Sequence, residues 1–135
     1  MLQRIQTIWL LLAAVCGFAT LKTSFYIGSI GTEPANHLTA MSNIWLMILT
    51  IVAATVAVVS IFMYKNRALQ LKLVLSTITL NIIILILYFT ATQKYTVGGF
   101  ALTSIIAVAV PVSLILAALG IYKDEQLVKS VDRIR

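Results

Sequence analysis

The chain is 135 residues long, with 61% hydrophobic and 10% charged residues and a formal net charge of +6 at pH 7. Soluble domains carry about 25% charged residues, so this composition excludes an ordinary water-exposed exterior. The length leaves room for one membrane domain and no separate soluble one. The Lys and Arg residues flank apolar runs and form no basic stripe with exposed aromatics, which argues against nucleic-acid binding.

Four apolar runs occupy residues 5–26, 41–64, 69–92 and 99–122, and a polar tail follows at residues 123–135. Each run has the ~20 residues that an α-helix needs to cross a hydrocarbon core of ~30 Å, and a helix satisfies its own backbone there. The sequence therefore predicts an all-α, polytopic membrane protein. Residues 1–135 are expected to form a single domain, an antiparallel bundle of four transmembrane helices with a short amphipathic C-terminal cytoplasmic helix.

The first run has a second interpretation as a cleavable signal peptide, with Gly17 and Ala19 as the small residues before the cut. The length of the run and the single basic residue ahead of it, Arg4, favour an uncleaved helix. Cys16 lies inside this run and is interpreted as a packing residue, because Val15 before it does not fit a lipoprotein signal.

Small residues at four-residue spacing predict close packing between the helices. They are Ala13 and Gly17 in the first run, Ala53 and Ala57 in the second, and Ala109, Ser113 and Ala117 in the fourth. Pro111 interrupts the last of these sets and is expected to bend or loosen its helix.

The links between the runs contain turn-forming residues. Residues 65–67 predict a tight turn that makes the second and third helices antiparallel neighbours. Residues 96–99, with two glycines, predict a second hairpin. The link at residues 27–40 is the longest, and its glycines, Pro34 and Asn36 predict irregular structure.

The distribution of basic residues predicts the orientation of the helices. Two of the ten Lys and Arg residues, Lys22 and Lys94, fall on one side of this topology, and eight fall on the other. By the positive-inside rule, both termini and the link at residues 65–67 are expected in the cytoplasm. The eight are Arg4, Lys65, Arg67, Lys72, Lys123, Lys129, Arg133 and Arg135.

No ionisable side chain lies at the centre of a predicted span, where such residues usually mark catalysis or proton transfer. The acidic residues Glu33, Asp124, Glu125 and Asp132 all lie in links or in the tail. The single histidine, His37, follows Glu33 by four residues but has no further metal ligands near it in sequence. We therefore expect no catalytic, metal-binding or cofactor-binding residues, and a protein that is not an enzyme.

Asn81 is the most polar side chain near the middle of a predicted span, with Ser76, Thr77 and Thr79 close to it. The favoured interpretation is an interhelical hydrogen bond, typically worth ~0.6 kcal/mol and at most ~2 kcal/mol. The alternative is a polar lining for a bound molecule, which would make the protein a small transporter or a lipid-binding membrane protein.

The tail has the pattern of an amphipathic helix. Its apolar stripe is formed by Leu127, Val128, Val131 and Ile134. Glu125 and Lys129 form a favourable i,i+4 pair. Acidic residues offset most of the attraction of this tail to anionic lipid, so the stripe is expected to pack against protein, either near Arg4 and residues 65–67 or on a partner subunit.

Three segments resemble a known family: the start at residues 1–9, the hairpin at residues 61–70, and the tail, whose Lys-Asp-Glu-x-Leu-Val-x-Ser-x-Asp-Arg pattern is the most specific. Over its whole length the chain resembles the small four-helix inner-membrane proteins of Bacteroidota that make up domain-of-unknown-function family 4293. The resemblance implies four helices in the cell inner membrane. It implies no assigned reaction and no catalytic residues.

The sequence thus favours a non-enzymatic accessory or scaffold subunit of a larger membrane complex. Its expected partners are membrane lipids and either another membrane-protein subunit or a second copy of the chain. Headgroup anchoring accounts equally well for the basic residues of the cytoplasmic face, but it does not require the other residues found there. The candidate docking residues are Gln3, Arg4, Gln6, Lys65, Arg67, Asp124, Glu125, Leu127, Val128, Val131, Asp132 and Ile134.

Overall fold

The computed structural model describes residues 2–134, and the side chains within residues 5–134. Over this range the chain is mostly helical, with four α-helices and three short strands. In chain order the elements are α1 (Leu2–Ala19), β1 (Tyr26–Ser29), β2 (Asn36–Leu38), a 3-10 turn (Ala40–Ser42), α2 (Ile44–Phe62), α3 (Arg67–Thr92), β3 (Val97–Phe100) and α4 (Ser104–Ile134).

Two asparagines set where the central helices begin. Asn43 accepts a hydrogen bond at its side-chain oxygen from the backbone N–H of Trp45, at 3.1 Å, and so caps α2. Asn66 accepts one from the backbone N–H of Leu69, at 3.3 Å, and so caps α3. Each cap satisfies one of the N–H groups that a helix leaves unpaired at its start. The link at the predicted tight turn is short, because α2 ends at Phe62 and α3 already begins at Arg67.

Each helix packs against two others. α1 contacts α2 and α4, and α3 contacts the same two helices. The small residues predicted to permit close approach lie in these contacts: a methyl group built on Gly17 of α1 would come within 3.2 Å of the Ala54 side chain of α2. Ala57 and Ala117 are also buried. The core between the helices is otherwise aliphatic, with Leu10 and Leu114 fully buried at its centre.

The links at residues 20–43 and 93–103 lie together at one end of the helices, opposite the turn between α2 and α3. They form a three-stranded sheet, which the sequence did not predict. β1 lies in the centre and pairs antiparallel with β2 and with β3, so the strand order is β2-β1-β3. Tyr26 faces Leu38 on one side and Phe100 on the other. Thr103 donates a hydrogen bond from its hydroxyl to the carbonyl of Ser24, which ties the start of α4 to the same layer.

This sheet corrects two predicted helix boundaries. α1 ends at Ala19, not at residue 26, and α4 begins at Ser104, not at residue 99. Several aromatic residues of these segments lie in the strands or pack against them. Phe25, for example, stacks on Tyr88 of α3 with ring centroids 4.4 Å apart.

α4 is a single helix of 31 residues, about 46 Å long at 1.5 Å per residue. It passes through Gly120 without a break and includes most of the tail, so the predicted C-terminal helix is an extension of α4. Pro111 lies buried inside α4 and does not end it.

Candidate functional site

A group of polar side chains lies at the end of the helices opposite the sheet, and we call it the polar end cluster. It consists of Gln6 on α1, Ser60 on α2, Arg67 and Gln70 on α3, and Asp124 on α4. Gln6 donates from Nε2 to Oδ2 of Asp124 at 2.7 Å. Arg67 donates from Nη1 to the backbone carbonyl of Asp124 at 3.3 Å. The cluster therefore joins α1 and α3 to α4.

Residues close in space and in sequence hold the side chains of the polar end cluster in place. A methyl group built on Gly120 would lie 2.8 Å from Cγ of Gln6, so the glycine one turn before Asp124 provides the space in which the Gln6 side chain lies. Gln70 donates from Nε2 to the backbone carbonyl of Ser60 at 2.9 Å. That carbonyl belongs to the last turn of α2 and also accepts the backbone N–H of Met63, the C-cap residue, at 3.3 Å.

The cluster is closed to solvent at its centre. Gln6 is 6% exposed and Asp124 is 5% exposed. Within residues 5–134, every buried side-chain nitrogen or oxygen has a hydrogen-bond partner. The arrangement thus holds helices together, and two of the candidate docking residues, Gln6 and Asp124, bond to each other and do not face outward.

The other candidate docking residues differ in their environment. Lys65 and Asp132 are exposed, and Arg67 is half-buried in the polar end cluster. Glu125 forms a salt bridge with Lys129 at 2.8 Å, at the predicted i,i+4 spacing. The side chains of Gln3 and Arg4 lie outside the part of the chain that the structure describes.

The apolar stripe of the tail is not covered by any part of the described chain. Its four members, Leu127, Val128, Val131 and Ile134, are between 46% and 86% exposed. The predicted packing of this stripe on the region of residues 65–67 is therefore not observed. Packing on a partner subunit stays a prediction.

Asn81 is buried on the face of α3 that points toward the other helices. Its Nδ2 donates to the backbone carbonyl of Thr77, one turn earlier in the same helix, at 2.9 Å. Both residues line a cavity of about 20 Å³ together with Thr50 of α2 and small residues of α1. A cavity of this size holds about one water molecule. The predicted interhelical contact is thus replaced by a bond within α3.

At the sheet end, aromatic side chains form a second distinctive group. Phe25 lies against Tyr88, Phe89 and Phe100, with ring centroids 4.4 to 6.1 Å apart. Nδ1 of His37 lies 3.0 Å from Oγ of Ser24, so the single histidine bonds within the sheet layer. No motif in the sequence predicts this aromatic group. The only available signal was the density of aromatic residues at the ends of the first and third runs.

The length and composition of the helices are those of a membrane protein. α2, α3 and α4 are each long and apolar enough to cross a membrane, and no more than 33% of the most apolar window of each is buried inside the chain. α1 has a shorter apolar stretch, Ile5–Ala19. Most of the surface of these helices is therefore hydrocarbon, as expected for helices surrounded by lipid.

The chain belongs to the family of the domain of unknown function DUF4293, whose family model matches residues 2–134. This confirms the family that the start, the hairpin and the tail resembled. No curated protein and no solved structure matched the chain.

Proposed function

We propose that the protein is a non-enzymatic subunit of the inner membrane that crosses it four times and serves as an accessory or scaffold component of a larger complex. The observation that supports this most directly is the tail of α4. It is a continuous helical extension with an apolar stripe that nothing in the described chain covers.

The stripe continues a face of α4 that is used for packing within the protein. Gly120 and Asp124 lie against Gln6 of α1, and Leu127, Val131 and Ile134 follow at alternating spacings of three and four residues. Such spacing keeps residues on one side of a helix. The face that binds α1 is thus extended by residues that are suited to a further protein surface.

The length of α4 supports a position of this stripe outside the hydrocarbon. Crossing ~30 Å requires about 20 residues, and α4 has 31. Starting from Ser104, the hydrocarbon would end near Lys123. The stripe would then lie on the aqueous side, where exposed apolar residues are commonly covered by a protein partner.

The alternative of a transporter or lipid-binding site around Asn81 has less support. The cavity beside Asn81 measures about 20 Å³, whereas sites for small molecules are typically ~300–1,000 Å³. A conduction path would also require polar groups on several helices along its whole length.

Co-purification from native membranes in a mild detergent, followed by mass spectrometry, tests the proposal. Val131→Asp places a charge in the stripe and should release the partner while the protein still inserts. Arg133→Gln makes the same change in net charge on the opposite side of the tail and should retain the partner. An isolated wild-type monomer, or a Val131→Asp variant that keeps every interaction, would contradict the proposal.

A further inference from the structure

An apolar groove runs along the outer surface between α3 and α4. Its volume is about 400 Å³, and it is lined almost entirely by hydrocarbon. Leu71, Leu75 and Ile78 form one wall, and Ile115, Leu119 and Tyr122 form the other. The groove faces away from the helix core and ends near the polar end cluster.

A second hollow adjoins the groove at that end. It measures about 480 Å³ and is lined by Tyr122, Lys123, Gln126, Leu127 and Ser130. Tyr122 belongs to both hollows, so the groove adjoins a second surface that is mostly apolar but carries the polar groups of Lys123, Gln126 and Ser130. Gln126 donates from Nε2 to the Tyr122 hydroxyl oxygen at 3.1 Å. Because the phenol accepts this bond, its own hydrogen can be donated to a ligand.

The charge at this polar end is positive. Lys123 is exposed there, and Arg67 binds the backbone carbonyl of the next residue, Asp124. The two acidic side chains of this part of α4 are engaged elsewhere. The carboxyl group of Asp124 accepts a bond from Gln6 on the α1 side, and Glu125 is paired with Lys129.

We propose that this groove binds one molecule of an anionic glycerophospholipid. An acyl chain lies between α3 and α4, and the phosphate lies against Lys123 and the Tyr122 hydroxyl. The polar groups near the end of the groove are donors and cations, which suit phosphate oxygens. Tyrosine is also typical of the level at which headgroups begin. The site depends on the insertion of α3 and α4 into lipid. Its second hollow shares Leu127 with the stripe of the tail, but the phosphate contacts, Lys123 and Tyr122, lie outside that stripe.

The groove has its floor where α3 and α4 are in contact. Ala118 forms part of its lining and is buried. The hydrocarbon lining together with the basic side chain at its end favours an acyl chain with an anionic headgroup over a helix of a partner protein.

Tryptophan quenching by brominated lipid tests the proposal. The native Trp9 and Trp45 are replaced by Phe, and a single reporter is introduced as Leu119→Trp, at a half-exposed position on the groove. The protein is reconstituted into phosphatidylcholine vesicles that contain either brominated phosphatidylglycerol or brominated phosphatidylcholine. We expect several-fold stronger quenching by the phosphatidylglycerol probe at equal mole fraction.

The matched control reporter is Val59→Trp, a half-exposed position on α2. It should show similar quenching by both lipids, which also demonstrates insertion. In the Leu119→Trp protein, Lys123→Gln combined with Tyr122→Phe should remove the preference, and Lys123→Arg should retain it. Equal preference at both reporters would indicate general attraction to a basic protein and would overturn the site. Absence of quenching at Leu119→Trp would indicate that a helix of a second copy fills the groove and would also overturn the site.

Discussion

At the scale of single residues, the hydrogen bond between Gln6 and Asp124 links two helices through buried side chains. It joins positions 118 residues apart at 2.7 Å, where most other interhelical contacts involve small or aliphatic side chains. Packing of small residues permits several sliding positions of one helix on another, whereas a buried hydrogen bond is satisfied in one. Gln6 and Asp124 therefore fix α1 relative to α4.

Removing only the hydrogen-bond donor, Gln6, should lower the free energy of unfolding more than removing both Gln6 and Asp124. Gln6→Met keeps the length of the side chain and leaves the buried Asp124 carboxyl group without its partner, so we expect a loss of about 1–3 kcal/mol in the free energy of unfolding. Adding Asp124→Leu should restore part of that loss, with a coupling energy of about 0.5–3 kcal/mol. Denaturant titration in detergent micelles, followed by circular dichroism, measures both values. Strictly additive effects would contradict the structural role of the bond.

The sequence singled out several of these residues but not their partners. Gln6 and Asp124 stand out in the sequence because headgroup anchoring does not require them, and the sequence predicts them on a docking surface. Their burial depends on the space above Gly120 and on the pairing of α1 with α4, and both are properties of the folded chain. The burial of Asn81 was predictable for a mid-span amide. Its bond to the Thr77 carbonyl was not, because a neighbouring turn of the same helix competes with the other helices.

At the scale of elements, the three-stranded sheet ties together the two links at one end of the helices. β1 follows α1, and β3 lies between α3 and α4, so their pairing connects distant parts of the chain. Gly28 faces Gly98 in the register of this pair. A methyl group built on Gly98 would lie 2.5 Å from Cα of Gly28 and 2.5 Å from the Ile27 carbonyl oxygen. The strands approach this closely because side chains are absent.

Gly98→Ala should therefore weaken the sheet, because the atoms it meets are backbone and cannot rotate away. We expect a destabilisation of about 1–3 kcal/mol, as for other overpacked sites. Gly99→Ala is the matched control, since nothing lies within 4 Å of a methyl group built there; it should change stability by less than about 0.5 kcal/mol. Thermal unfolding in detergent, followed by circular dichroism, compares the two variants. Equal melting temperatures would show that the close contact is unimportant.

The helices could be predicted from sequence and the sheet could not. Runs of about 20 apolar residues require no partner to be recognised. The strands, in contrast, are three or four residues long and include the glycine-rich segment Val97–Phe100, which has no alternating pattern. Their structure depends on pairing across the chain. The predicted first helix consequently ran on to Tyr26 through a segment in which only Leu21 and Phe25 are apolar.

At the scale of the whole molecule, the two ends differ in chemistry. The sheet end contains both links, with Lys22 and Lys94 near it in sequence. The opposite end contains the polar end cluster, the turn between α2 and α3, and the tail of α4. The uneven distribution of basic residues read from the sequence is therefore also a difference between the two physical ends of the fold.

These contacts determine which segments must share a side of the membrane. β1 and β3 are paired, so the two links lie together. Gln6 bonds Asp124 at the other end, so α1 runs from that end to the sheet, although its apolar stretch is shorter than those of the other helices. If α2, α3 and α4 cross the membrane, α1 crosses it as well. The eight-to-two division of basic residues then predicts that the tail lies in the cytoplasm.

Cysteine labelling in intact cells measures this topology. On a Cys16→Ser background, His37→Cys and Gln93→Cys place thiols in the two links at the sheet end, and Ser130→Cys places one in the tail; all three positions are exposed. A membrane-impermeant maleimide should label the first two in intact cells, and it should label the tail only after the membrane is opened. Labelling of the tail in intact cells would reverse the predicted orientation. Labelling of only one of the two links would contradict their pairing in the sheet.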